Sequence, residues 1–297
     1  MRIFSKPRLA GSLLLATLVS VSSVRAQHTA DYKYSAPKML GDGIVTGTLK
    51  SAKLDEAKLV AGTNEILKGT YANMHSVLIF RDEELVYENY FTGEDENNHI
   101  GPIGVVAHTR ETLHDTRSIS KSVVALAVLV ARSQGKIKNL DQSVFDFFPE
   151  YAHHAVDEKK NITIRNALSM TSGLEWNEEI SHSDPANSAV QINSAPNTIE
   201  FVLSRKLVNK PGTVFEYNGG MTQLLAAIIK KTTGSDIENF VKRHLLTPLG
   251  ITKHEWAKLK TGEPDADSGL RLRSRDIARM GLLVMNSGKW NGKQILP

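Results

Sequence analysis

Residues Val123 to Ala131 form an uninterrupted apolar run, followed by a glycine at 135. A helix built on it is hydrophobic almost all round its circumference, and such a helix is stable only inside a core. The rest of the chain must therefore wrap around it. At its start stands Ser118-Ile119-Ser120-Lys121, an S-x-x-K string. Helical spacing puts a lysine three residues on from a serine on the same face, one turn away. A serine hydroxyl is a weak nucleophile until a neighbouring base or cation assists it. The free N–H groups of a helix start also favour negative charge developing on the serine oxygen.

The string itself is common, and the chain carries it at Ser35/Lys38, Ser118/Lys121 and Ser133/Lys136. Ser35 is followed by Ala36-Pro37, which disfavours helix, and Ser133 falls at a helix end before Gly135. Only Ser118 opens a long apolar helix. An ordinary Ser/Lys pair at a helix start is the competing reading of the same residues.

The first 26 residues read as an export leader. Arg2, Lys6 and Arg8 precede the apolar Leu13 to Val21, and Val24-Arg25-Ala26 is a small-residue cleavage pattern before Gln27. The run falls short of the ~20 residues of a spanning helix, so a periplasmic or secreted protein is expected rather than an anchored one. The leader holds four of the 36 Lys and Arg and no acid, so residues 27–297 are balanced at 32 basic and 32 acidic residues. That balance points away from nucleic acid and anionic membranes as partners. With no cysteine, thiol nucleophiles, redox pairs and cysteine zinc sites are excluded.

Met74 to Arg81 and Leu85 to Phe91 are apolar β-prone runs around Asp82-Glu83-Glu84, predicting a hairpin within a covered sheet. Thr92 to Gly101 is polar and acidic and reads as a loop, with Val105 to Ala107 a short extended piece. Helices are expected at Leu140 to Phe148, Thr163 to Met170, Thr198 to Arg205 with Asn197 as cap, and Met221 to Thr233 closed by Gly234. Two more are expected, from the Ser235-Asp236-Ile237-Glu238 capping box to Leu246 and from Ser274 to Met285. His153-His154 is no metal site by its pattern, since adjacent histidines face different ways and neither H-E-x-x-H nor H-x-H-x-D occurs. Residues 27–135 with 256–297 would form an α/β (α+β) body, and 136–255 a helical subdomain.

Several segments taken together resemble the serine β-lactamase-like hydrolases, in the class C-related branch with carboxylesterases, D-amino-acid peptidases and 6-aminohexanoate-oligomer hydrolases. They are His75-Ser76-Val77-Leu78, Ser118 to Lys121, Met170-Thr171-Ser172-Gly173-Leu174, Pro211 to Tyr217, Pro248-Leu249-Gly250-Ile251, and Gly269-Leu270 through Arg275-Asp276 to Gly281. The resemblance implies a β-lactamase/penicillin-binding-protein-like antiparallel sheet flanked by helices, with an all-helical subdomain. It implies Ser118 as the acylated nucleophile, Lys121 as the group that helps take its proton, and Tyr217 of a Y-x-N motif as base or relay. Asn218 and Gly219 fall among the substrate contacts. No cofactor is implied, and the partner is a small ester or amide.

The pattern is broken twice. Gly219 stands where Y-x-N has its asparagine, with Asn218 one place early. The third motif, K-T-G or H-x-G on a core strand, has no counterpart, because Lys260-Thr261-Gly262 lies in a polar loop before Pro264 and precedes the Gly269 segment. In the family that strand supplies one oxyanion N–H, so residues 1–297 alone are expected to turn over slowly. The expected function is an exported serine hydrolase working through an acyl-enzyme. A β-lactamase or D-Ala-D-Ala peptidase is the alternative among enzymes, and a non-catalytic ligand-binding relative or truncated pseudoenzyme is the alternative outside them.

Overall fold

The computed structural model describes residues 31–297; the expected leader lies outside them. Residues 31–54 run along the back of the first hairpin, where Tyr34 OH donates to the Val86 carbonyl at 2.9 Å and accepts from Leu49 N–H at 3.1 Å. Helix α1 (Glu56–Leu67) starts on Asp55, whose side chain accepts from Lys58 N–H, one of the donors a helix start leaves open. Strands β1 (Ser76–Arg81) and β2 (Glu84–Tyr90) are the expected hairpin. Its turn residues Asp82 and Glu83 both have positive φ, 48° and 67°, the geometry that matches the twist of paired strands. Both faces are covered, as expected: Leu78, Phe80 and Leu85 join the main core, and Val77, Ile79, Val86 and Tyr87 a second cluster on the other side, with β2 more deeply buried than β1.

The segment Thr92 to Gly101, expected as a loop, instead contains β3 (Thr92–Asn97), paired antiparallel with β4 (Gly101–Ala107). Backbone pairing overrides the polar composition here. β5 (Leu113–Asp115) leads through Thr116-Arg117 into α2 (Ile119–Ser133). The expected helix over 140–148 shortens to a 3-10 turn, Val144–Phe147, capped by Ser143 and ended at fully buried Phe148.

Four short helices precede or flank one long one: α3 (Ile164–Leu168), α4 (Ser188–Ser194), α5 (Thr198–Leu203) with Asn197 accepting from Glu200 N–H, then the long α6 (Gly219–Thr233) and short α7 (Ile237–Val241). Gly234 closes α6 at φ 75°, a conformation that favours glycine. Asp236 rather than Ser235 caps α7, which continues as a π-turn to Leu246. β6 (Glu255–Trp256), β7 (Leu270–Arg273), α8 (Ser274–Met285), β8 (Lys289–Trp290) and β9 (Lys293–Gln294) complete the chain. Arg273, not Ser274, is the residue flanking the α8 start.

The core is organised by α2 packed on α6. Val123, Val124, Ala127, Val128, Val130 and Ala131 of α2 are buried, and so is every residue of α6 from Gly219 to Ile229. At about 1.5–3 kcal/mol for each large side chain removed from water, these two helices anchor the fold. Gly220 lets α6 approach Trp176, because a Cβ there would press into the indole ring. The single expected sheet is distributed over four: β1–β2, β3–β4, β5–β7–β6 and β8–β9. Side chains tie the strands to the helices, as where Ser76 Oγ of β1 and Ser274 Oγ of α8 lie 2.8 Å apart. No helix among the described residues is long and apolar enough to cross a membrane.

Candidate active site

Ser118 sits at the junction of β5 and α2, exposed, with its side chain making no cap hydrogen bond. The residue before it, Arg117, has φ 48°, an arrangement that costs a non-glycine residue about 1–3 kcal/mol and persists only where neighbours enforce it. Those neighbours are Asn98 Oδ1 and Glu96 Oε1, both bonded to the Arg117 guanidinium from the β3–β4 hairpin. At the other side Thr116 donates from N–H at 3.0 Å and from Oγ1 at 2.7 Å to the Leu270 carbonyl of β7. Ser118 is thus held between two sheets.

Lys121 is 8 % exposed, and its Nζ donates to Ser118 Oγ and to the Asp267 carbonyl, each at 3.1 Å. Its Nζ also lies 5.0 Å from the ring centre of Tyr217, which ends the loop before α6. The structure therefore brings together Ser118, Lys121 and Tyr217. It places Asn218 differently from the substrate contact expected: Asn218 is fully buried and its Oδ1 accepts from Met221 N–H at 3.1 Å, capping α6. A cap residue satisfies a helix-start donor and so must face into the helix rather than the cleft. Gly219 is buried too, and its N–H donates to Glu178 Oε2 at 2.7 Å.

Two acids complete the cluster, and sequence reasoning misses both. Glu178 Oε1 lies 3.8 Å and Asp267 Oδ2 3.6 Å from Lys121 Nζ. Glu178 is fixed by the Trp176 indole N–H, which donates to it at 2.8 Å, as well as by Gly219. A Cβ on residue 219 would collide with Asp267 Oδ2. Glycine at the third position of the Y-x-N string is therefore what admits the Asp267 carboxyl beside the lysine.

The cluster's electrostatics follow from burial against pairing. Burial pulls the Lys121 pKa down, but the facing Asp267 and Glu178, with Tyr217, outweigh it and hold the ammonium above its ordinary value. Burial pushes the Asp267 carboxyl well above the usual carboxylate range, and the hydrogen bond and charge of Asp265 push it further, against Lys121. Asp265 has the opposite fate. Burial would raise it, yet hydrogen bonds from His99 Nε2, Asp267 and Ser268 hold it below the usual range. Asp265 Oδ2 is 2.7 Å from both His99 Nε2 and Ser268 Oγ. The site thus favours the charged form of Lys121 and disfavours that of Asp267. An ammonium so placed steadies an alkoxide on Ser118.

Lys260-Thr261-Gly262 forms an exposed turn between Lys258 and Pro264, with Gly262 at φ 82°, as its loop composition implied.

The sequence matches the family model described as Beta-lactamase over residues 72–284. The chain belongs to the beta-lactamase family. The 6-aminohexanoate-dimer hydrolase of Paenarthrobacter ureafaciens is 25% identical over 196 residues, 62% of this chain and 48% of that protein. Among solved structures, EstCE1, described as a hydrolase with promiscuous acyltransferase activity, superposes with a TM-score of 0.60 at 19% identity, covering 81% of this chain and 74% of that one. A class C beta lactamase gives a TM-score of 0.57 at 20% identity, covering 81% and 67%. These beta-lactamase-family likenesses establish the fold as β-lactamase/penicillin-binding-protein-like. The chain spans about half the length of the curated relatives it matches.

Proposed function

We propose that this protein is an exported serine hydrolase that acylates Ser118 with a small ester or amide and releases the acyl group to water. The observation that carries the reading is the 3.1 Å contact from buried Lys121 Nζ to exposed Ser118 Oγ. In the first half-reaction Ser118 Oγ attacks the substrate carbonyl and its proton passes to Tyr217, which hands its own hydroxyl proton on to the leaving group while Lys121 stays charged. The Lys121 ammonium and the helix start balance the negative charge on oxygen as the bond forms. The Ser118 N–H donates to no backbone carbonyl among the described residues, which leaves it available to the developing oxyanion. The leaving alcohol or amine takes up the proton. In the second half-reaction water repeats the attack on the acyl-serine, and Tyr217 relays its proton back to Ser118 Oγ.

Apolar residues flank the site in sequence. Ile119 follows the nucleophile and is 45% exposed, and Phe215, two residues before Tyr217, is 65% exposed. Exposed apolar surface beside a polar centre suits a substrate with an uncharged hydrocarbon arm, supporting short-chain esters or linear amides over β-lactams. A fluorophosphonate probe tests the nucleophile: labelling should occur and vanish in Ser118→Ala, followed by multiple turnovers of a chromogenic ester. Absence of labelling would leave a pseudoenzyme. A stable acyl-enzyme without turnover would leave a ligand sensor, and a chromogenic cephalosporin cleaved faster than the ester would reverse the substrate order. Recovery of a chain beginning at Gln27 from the medium or periplasm tests export.

A further inference from the structure

His75, His108 and His114 are far apart in sequence, yet their rings meet where β1, β4 and β5 converge. One ring nitrogen from each lies within 4.8 Å of one from each of the others. The protonation pattern of two rings is dictated by backbone oxygens, which only accept. His75 Nε2 faces the Glu94 carbonyl at 2.9 Å and His108 Nδ1 faces the Phe91 carbonyl at 2.8 Å. Each of these nitrogens must carry the proton, so His75 Nδ1 and His108 Nε2 present lone pairs. A ring whose far N–H is held by a backbone carbonyl while its other nitrogen is bare is the arrangement found around bound metals.

Of the bare nitrogens, His75 Nδ1 has one long hydrogen-bond partner and His108 Nε2 has none. His75 Nδ1 faces His114 Nδ1 at 3.3 Å, and His108 Nε2 faces Asp95 Oδ2 at 3.3 Å. His108 Nε2 and His114 Nε2 are buried without a hydrogen bond. Asp95 is itself buried, its Oδ1 accepting from Glu96 N–H at 2.8 Å. A lone pair set against a carboxylate in a dry site demands a positive charge between them. One proton on His108 would meet that pair alone, whereas one cation serves every donor. Metal–ligand bonds of about 2.0–2.1 Å at tetrahedral angles set neighbouring donors roughly 3.3–3.4 Å apart, the present separation of His108 Nε2 and Asp95 Oδ2.

We propose that His75 Nδ1, His108 Nε2, His114 Nδ1 and Asp95 Oδ2 form a binding site for a divalent transition cation of the zinc class. Three imidazoles and one carboxylate are the donor set such ions select over magnesium or calcium. His75 and His108 now stack with centroids 3.8 Å apart, so loading turns the His75 ring out of the stack to point its nitrogen at the shared centre. His75, Asp95 and His114 border an open cleft of about 650 Å³, the route of entry. The role is structural. The ion would tie β3, which carries Asp95, to β5, four residues before the nucleophile. Glu96, beside that ligand, holds the strained Arg117, so the ion stiffens the support on which Ser118 stands.

Tag-free, chelator-treated protein titrated with cobalt(II) tests the site. The expected result is one equivalent bound, with the visible absorption of a four-coordinate ion, and a thermal midpoint that rises when zinc is added. His75→Gln, a half-buried residue whose loss spares the core, should weaken binding roughly a hundredfold or more, and His108→Gln should do the same. His154→Gln, at the separate cluster of His153, His154 and Glu200, should leave it unchanged. Cobalt binding that is absent, that survives His75→Gln in folded protein, or that disappears in His154→Gln overturns the proposal.

Discussion

Two groups of buried charge among the described residues are built on different plans. Around Arg275 every contact is short and shared: Glu88 is gripped by two guanidinium nitrogens at 2.8 and 2.9 Å, and Asp42 Oδ2 takes Arg275 at 2.8 Å and Arg279 at 3.1 Å. Asp276 joins Arg279 at 3.0 Å and Arg273 at 2.7 Å. Burial would raise the Asp42 and Glu88 carboxyls, but the Arg275 hydrogen bonds overcome it and hold both below their ordinary values. Around Lys121 the acids stand off at 3.6 and 3.8 Å, and Asp267 is held up rather than down. Arginine forks lock charge in place, whereas a lysine whose acids stand off from it leaves a proton able to move. The first group fastens the Asp42 segment and β2 to α8; the second is where chemistry can happen.

The largest effect should come from the loose group. Ser118→Ala is expected to lower ester turnover by roughly 10⁴-fold or more while thermal unfolding stays within about a degree or two, because an exposed serine without a cap bond holds little together. Comparable kinetics for mutant and wild type would remove Ser118 from the mechanism. Arg275→Met should do the reverse. Leaving Glu88 and Asp42 buried beside an apolar chain costs about 3–5 kcal/mol of stability, read from urea unfolding, with turnover per folded molecule retained. A stable Arg275→Met protein with impaired turnover would erase the distinction between the groups.

Gly219→Ala probes the boundary of the loose group. Its Cβ displaces the Asp267 carboxyl, and misplacement of a site group by an ångström is expected to cost roughly 10²-fold in kcat. A variant as fast as wild type would show that the position of Asp267 is immaterial. The smallest effect is one of sign in the pH dependence of stability. Asp42 and Glu88, held low, contribute stability present above the ordinary carboxylate range and lost as pH falls through their folded values. Asp267, held high, contributes in the other sense: its share is full below the ordinary value and is lost as pH rises through its folded value. Asp267→Asn should therefore flatten the loss on the alkaline side, and Arg275→Met should flatten the acid side. Slopes of the same sign in both variants would contradict the assignment.

What is visible in the sequence is what the chain encodes locally. Ser118, Lys121 and the run from Val123 are joined by helical periodicity, so the proposed nucleophile, the cation and the central helix are legible together. Tyr217 is reached through the chain order of its neighbours. Glu178 and Asp267 are not, since both lie in polar loops whose acids look solvated until folding closes them over a lysine that, for Asp267, is 146 residues away. The one signal within reach is Trp176, two residues before the acid that its indole holds. β3 hides as a loop because Thr-Gly-Glu-Asp-Glu-Asn has no strand pattern, and its pairing depends on β4. The three histidines are separated by 33 and 6 positions, and no spacing rule joins them.

Gly219 and Asp267 occupy one volume between them, and that makes them a linked pair of letters. A relative that gains a side chain at the first position must surrender the carboxylate at the second, or accept neither in working order. Across beta-lactamase-family sequences the two positions should therefore change together, and a chain caught midway, with side chains at both, should be rare.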